Sequence, residues 1–218
     1  MNLDFQAARE QMISQQLRTW NVLDERVLNA VRQVPREKFV PAAYQALSYT
    51  DENLPLAHSQ VMLAPKLEAR ILQAMDIQSS DQVWVVGAGN GYLAACAAQL
   101  AVKVRVTEAH SDLAEQARRN LQNTPCNNVF VDSVDALQLD PKMAYDVVII
   151  TGSLPRLDTR FEQSLTLGGR LFVVVGTSPV MCAMKITRHS EQTWQREILF
   201  ETDLPALSNT VQPDKFVF

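Results

Sequence analysis

Lysine and arginine nowhere gather into a run in this chain. That lack argues against a protein that grips nucleic acid through its phosphates, which needs a basic face. Twenty basic residues stand against 24 acidic ones, for a formal net charge of −4. The densest basic spot, Arg118-Arg119, falls inside an expected helix and reads as a solvated face. A basic amphipathic helix suited to a membrane surface is equally missing. Cysteine is scarce as well. Cys96, Cys126 and Cys182 are odd in number and widely spaced, which fits neither a disulfide framework nor a zinc pattern. Each lies in or beside an apolar run, so buried inert thiols are expected. The three histidines, His58, His110 and His189, show no spacing that suggests a metal site or a base–nucleophile pair. No apolar stretch is long enough to span a bilayer. The first residues, Met1 to Phe5, lack the basic start and apolar run of a secretory signal. The cytoplasm is the expected compartment. Internal repeats, low-complexity segments and Gly/Ser linkers are also lacking.

What is present is enough for one large α/β domain: 218 residues, 47% of them hydrophobic. Phe5, Ala8, Met12 and Leu17 recur near helical spacing and predict a first helix. Asp24 ahead of Val27, Leu28 and Val31 predicts a capped second helix, which Val34-Pro35 should end. Residues 36–65 read as a short helix and then an irregular loop. Pro65 is placed to open a helix whose stripe is Leu67, Ile71 and Met75. From residue 82 the pattern alternates. Strands are expected at 82–86, 103–107, 129–131, 145–151 and 170–175. Helices are expected at 91–101, 112–123 and 161–165. Strand–helix alternation predicts a mostly parallel sheet covered on both faces. The last two extended stretches, 180–187 and 194–202, flank a turn at 189–192 and predict an antiparallel pair at one edge. Residues 1–65 are expected to pack on the sheet as a helical lobe, with 66–218 as the α/β core of a single domain.

The most informative segment runs Val83-Trp84-Val85-Val86-Gly87-Ala88-Gly89-Asn90-Gly91-Tyr92. It predicts a buried strand, a glycine turn and a helix start. Glycines tolerate positive φ and admit a ligand close to the backbone, while the helix N-terminus and free amides of the turn point at that ligand. A dinucleotide fingerprint needs its last glycine at position 92, which is Tyr92 here. The shorter spacing suits the methionine end of S-adenosylmethionine, which carries no pyrophosphate. Glu108 follows the next strand, where a carboxylate can accept both ribose hydroxyls of a nucleoside. After the third strand stand Asp132 and Asp135, and an acid there can accept a bond from an adenine amino group. Asp132 and Asp140 read as surface charges. Glycine turn, Glu108 and an acid after the third strand come in the order in which open α/β sheets gather ligands at the carboxyl ends of strands, and the choice of Asp135 among those acids follows from a family resemblance.

Taken together, the chain resembles the protein-L-isoaspartate O-methyltransferase family. The resemblance rests on Val34-Pro35-Arg36-Glu37-Lys38-Phe39-Val40-Pro41 and on Tyr49, Asp51 and Leu54-Pro55-Leu56. Gly91-Tyr92 with Ala94-Ala95, Tyr145-Asp146, Gly168-Gly169 and Leu204-Pro205 extend it along almost the whole chain. It implies a class I S-adenosylmethionine-dependent methyltransferase fold, Rossmann-like, with about seven strands. The implied reaction is methyl transfer from S-adenosylmethionine to the free α-carboxyl of isoaspartyl residues in damaged proteins or peptides. The implied cofactor residues are Gly87, Ala88, Gly89, Asn90, Gly91, Glu108, Ala109, Val134 and Asp135. The implied substrate loop is Ser59, Gln60, Val61, Met62 and Leu63.

Within that loop the chain departs from the family, whose pattern is close to Gly-Gln-Thr-Ile-Ser-x-Pro. Here it reads Ser59-Gln60-Val61-Met62-Leu63-Ala64-Pro65, so Val61 and Leu63 replace two hydroxyls and Ser59 replaces a glycine. Val85 stands where the family carries a carboxylate, and Val134-Asp135-Ala136 where it has Gly-Asp-Gly. No residue is singled out as catalytic. Two other readings therefore stay open: a methyltransferase of this fold with another acceptor, or a catalytically inactive cofactor-binding protein. Of the remaining residues, His58 reads as a loop-surface histidine and Lys66 with Arg70 as an exposed helix face. Met62, Met75, Met181 and Met184 read as core filling, Trp20 and Trp194 as packing anchors.

Overall fold

The computed structural model describes residues 4–139 and 144–211. Asp140 and the first three residues lie outside this range. Helix α1 (Phe5–Gln11) is capped by Asp4, whose carboxylate accepts from the Ala7 amide at 3.0 Å. It continues as a π-helix over Met12–Leu17, where Met12, Ile13 and Leu17 are buried. Helix α2 (Glu25–Gln33) is capped by Asp24, which accepts from the Arg26 amide at 2.8 Å. It stops at Val34, whose extended backbone is what a following proline imposes. Residues 36–65 are more ordered than expected. They hold 3-10 turns and a two-residue antiparallel ladder between β1 (Leu54–Pro55) and β2 (Val61–Met62). Strands this short carry no readable period. Helix α3 (Pro65–Met75) has Pro65 in its first turn, where a missing N–H costs nothing.

The main sheet has seven strands: β3 (Gln82–Val86), β4 (Lys103–Glu108), β5 (Val129–Ser133), β6 (Tyr145–Leu154), β7 (Leu165–Thr177), β8 (Val180–Ser190) and β9 (Thr193–Glu201). Their order is β5-β4-β3-β6-β7-β8-β9. The first five run parallel; β8 and β9 are antiparallel, which closes one edge as a pair of hairpins. Strand β7 starts at Leu165 rather than Arg170, because α6 (Thr159–Gln163) is one short turn. Helices α4 (Tyr92–Ala98) and α5 (Ser111–Gln122) supply the crossovers after β3 and β4.

Period-2 alternation along β3 sorts the core into two layers. Val83 and Val85 join one apolar cluster with α2, α3, α4 and α5, whereas Trp84 and Val86 join a second with Tyr145, Phe161 and Ile186. Met12, Leu28, Phe39 and Met62 from the N-terminal third belong to the first cluster. Parallel pairing brings the carboxyl ends of β3, β4, β5 and β6 to one edge.

Candidate functional site

The turn after β3 is built for glycine. Gly87 has φ +89°, and a Cβ there would stand 2.3 Å from Thr151 Oγ1. That hydroxyl, from β6, reaches the carbonyl oxygens of Val86 and Gly87, each at 3.1 Å. The Gly87 amide donates to the Thr107 carbonyl at 2.8 Å. Gly89 and Gly91 also have positive φ. The turn is thereby fixed to the strands on either side.

Glu108 is buried at the end of β4 and ties the turn together. Its Oε2 accepts from the amides of Ala88 at 2.8 Å and Gly89 at 3.3 Å, and its Oε1 from the His110 amide at 3.0 Å. This corrects the expectation that the turn's amides stand free for a ligand. Buried N–H groups must find an acceptor, and Glu108 supplies it. A carboxylate offers roughly four lone-pair sites, so these bonds leave about one for a ligand hydroxyl. Asp135 is also engaged: Oδ1 accepts from the Leu137 amide and Oδ2 from Asn209 Nδ2, both at 2.9 Å.

These groups border one cleft of about 610 Å³, counting space open to solvent. Glu108, Ala109 and Asp135 line it together with Gly87 and Gly89, and Gln60 and Val61 reach it from the substrate loop. A strap near the C-terminus crosses it. Ser153 anchors the strap by donating its amide to the Pro205 carbonyl at 2.9 Å and accepting from the Leu207 amide at 3.0 Å. Leu207 reaches inward, its Cδ2 lying 3.0 Å from where a Gly152 Cβ would stand. Ser208 Oγ pairs with His110 Nε2 at 2.7 Å.

Other expected site residues stand away from the cleft wall. Asn90 is buried behind the turn, donating to the Phe39 carbonyl at 3.1 Å while its own carbonyl accepts from Asn120 at 2.9 Å. Gly91 leaves room for Ala117 and Leu121 of α5. The Ala88 amide faces Glu108, and Val134 does not line the cleft. Ser59 is exposed with φ +55°, at the position where the family has glycine. Met62 and Leu63 are buried, 2% and 4% exposed, so the bulk of Leu63 goes into the core and not into the cleft.

Several side chains had no sequence signal. His58 and His110 stack face to face, centroids 3.9 Å apart, and His58 Nε2 pairs with Asp112 at 2.9 Å. Distance along the chain hid that contact. Among the described residues no group of three or more His, Cys, Asp or Glu is arranged to hold a metal ion. Lys66 pairs with Asp51 and lies over the Trp20 ring, while Arg70 lies over Phe200, so both are half-buried packing elements and not a free helix face. Trp20 itself is 44% exposed. Asp132 is a surface charge paired with Arg105. Of the thiols only Cys96 is fully buried, and burial pushes it well above its usual range; Cys126 and Cys182 are half-buried.

Almost the whole chain matches known proteins of one family. Residues 7–205 match the family model of protein-L-isoaspartate(D-aspartate) O-methyltransferase. A protein-L-isoaspartate O-methyltransferase of Koribacter versatilis is 36% identical over 193 residues, covering 88% of this chain and 86% of that one. The Brucella anthropi protein of the same name is 30% identical, covering 97% and 98%. In fold, the chain is similar to a Plasmodium falciparum protein assigned as such a methyltransferase and solved with S-adenosyl-L-homocysteine. The TM-score is 0.83 at 19% identity, covering 93% and 99% of the two chains.

Proposed function

This chain belongs to the protein-L-isoaspartate O-methyltransferase family, and from that premise we propose how its residues divide the work of the reaction. It is an S-adenosylmethionine-dependent enzyme that methylates the free carboxyl of isoaspartyl residues. The readings with another acceptor or with no catalysis are not favoured.

The residues present fit a nucleoside-bearing cofactor. Glycine is strongly favoured at position 87, and two acceptor-only carboxylates border the same cleft. Glu108 accepts from one ribose hydroxyl through its remaining lone-pair capacity, and Asp135 accepts from the base's amino group in exchange for Asn209. Gly87, Gly89 and Ala109 shape the wall, with Ala88, Asn90 and Gly91 supporting the turn behind it. When bound, S-adenosylmethionine supplies a methyl group on a positively charged sulfonium. The acceptor carboxylate is already ionised near neutral pH, so no general base is required of the chain. Its task is alignment and exclusion of water. Gln60 and Val61 are the loop residues placed to orient the acceptor, with Ser59, Met62 and Leu63 setting the loop's path. Residues 1–65 and 66–218 act as one domain, a reading supported by their shared apolar cluster. The acidic balance supports protein substrates over nucleic acids. Among the described residues no helix is long and apolar enough to cross a membrane, which, with the free thiols, supports a cytoplasmic place.

The observation that carries the assignment of residues is that Glu108, Asp135, the glycine turn and Gln60-Val61 share one cleft. Radiolabelled methyl transfer to an isoaspartyl peptide beside its aspartyl twin tests the function, with S-adenosylhomocysteine calorimetry as the control for binding. Label on the isoaspartyl peptide alone is expected. Binding without transfer would overturn the reading.

A further inference from the structure

Arg36 is completely buried, and a guanidinium is taken from water only where it is fully matched. Its Nε donates to the Ser48 carbonyl at 2.8 Å, and its Nη2 to the Leu63 carbonyl at 2.6 Å. Its Nη1 pairs with Glu68 of α3, itself 4% exposed. The guanidinium carbon lies 4.8 Å from the centroid of the Tyr92 ring, at the start of α4. One side chain therefore joins the N-terminal turns, the end of the substrate loop, α3 and α4.

The Leu63 carbonyl is the contact with consequences for the reaction. It lies on the short path between Val61, which lines the cleft, and Pro65, which opens α3. The Leu63 side chain is buried in the core and has no hydroxyl to offer, so it is the backbone oxygen that is bound here. We propose that Arg36 is a positioning residue for the acceptor: its bond to the Leu63 carbonyl, braced by Glu68, sets where Gln60 and Val61 stand in the cleft. This rests on the reading of residues 59–63 as the acceptor-side loop.

The cofactor side is held by other means. Thr107, Glu108 and Thr151 fix the glycine turn, and Asn120 holds the Asn90 carbonyl. None of these bonds uses the Arg36 side chain, whose one contact on that side is with the face of the Tyr92 ring and is not a hydrogen bond. Loss of the tether should thus move the acceptor loop and spare the nucleoside contacts, which separates this role from general support of the fold.

The test is the double variant Arg36→Met/Glu68→Leu, beside Arg36→Lys. Replacing a buried ion pair by apolar side chains of similar volume is often neutral or stabilising, so the double variant removes the tether while keeping the core filled. Its melting temperature should fall by several degrees, because the buried Ser48 and Leu63 carbonyls lose their donor, while the protein stays folded and binds S-adenosylhomocysteine with affinity within about twofold. A rise in KM for an isoaspartyl peptide should bring kcat/KM down by roughly 10- to 100-fold, the scale of a misplaced reacting group. Lysine keeps the charge but cannot make the three-way contact, so Arg36→Lys should not rescue the peptide kinetics. A folded double variant with unaltered peptide kinetics overturns the proposal. So does failure of both variants to fold, which would make Arg36 a support of the whole structure and not of the loop. An unaltered protein that binds S-adenosylhomocysteine yet leaves the isoaspartyl peptide unlabelled sinks the functional reading instead.

Discussion

Substituting Gly87 by alanine makes the sharpest demand on the glycine turn. A Cβ at this position would stand 2.3 Å from Thr151 Oγ1, while Thr151 Cβ would be at an ordinary 3.6 Å. The hydroxyl can therefore rotate away, at the expense of its contacts with the Val86 and Gly87 carbonyls. Losing that hydrogen bond costs about 0.5–1.5 kcal/mol. Holding alanine at φ +89° adds about 1–2 kcal/mol. The sum, about 1.5–3.5 kcal/mol, lowers the melting temperature of a chain this size by roughly 3–14 °C. Thermal unfolding of Gly87→Ala, Thr151→Ala and the double variant separates the two contributions. Because the hydroxyl is already gone in Thr151→Ala, the double variant should cost about 1 kcal/mol less than the sum of the singles. Strict additivity would refute the clash. A Gly87→Ala protein with unaltered melting temperature and unaltered S-adenosylhomocysteine binding would refute the account of the turn altogether.

Two further outcomes follow from buried carboxylates. In Glu108→Gln the amide oxygen can still serve Ala88 and Gly89, but the new NH₂ faces the His110 amide; we expect a loss of about 1.5–3 kcal/mol in stability. S-adenosylhomocysteine affinity should fall about tenfold or more, close to 1.4 kcal/mol per decade; unaltered affinity by calorimetry would remove Glu108 from the proposed nucleoside contacts. Glu68 gives a dependence on pH. Burial outweighs the neighbouring Arg36 and pushes its carboxyl from 4.5 up to about 7, so Glu68 meets Arg36 as a carboxylate above that pH and as a neutral acid accepting from the guanidinium below it. The native state then holds a proton that the unfolded chain has already released, so this contribution to stability is full below about pH 4.5 and is lost as pH rises through 7. Urea unfolding across that window should show the decline, and Glu68→Gln should flatten it; an identical slope in the variant would show that Glu68 is not its source.

Much of the fold was legible in the chain because its signals are local. The apolar run ending at a glycine placed β3 at Gln82–Val86, Asp24 capped α2 and Pro65 opened α3. The Val-Pro-Arg-Glu-x-Phe-Val-Pro stretch and the glycine turn pointed to the family. Glu108 was singled out by its place after a strand, since a parallel sheet brings such ends to one edge, whereas Asp135 was preferred to Asp132 only through the resemblance to the family. What periodicity cannot carry is direction within short or irregular segments. Whether Val61 or Leu63 faces the cleft depends on what packs on each side of a two-residue strand, and the core claimed Leu63.

Composition, turn chemistry and strand–helix alternation thus determined by themselves that this is an α/β protein with a mostly parallel sheet and a glycine turn after its first core strand, because each depends on a few adjacent residues. Only the tertiary structure decided that Glu108 holds the turn's amides, that Leu207 reaches into the cleft, that His58 stacks on His110 and that Arg36 holds the Leu63 carbonyl. Those contacts join residues far apart along the chain. Their existence is fixed by packing and by the need of buried polar groups for partners, which no local pattern encodes.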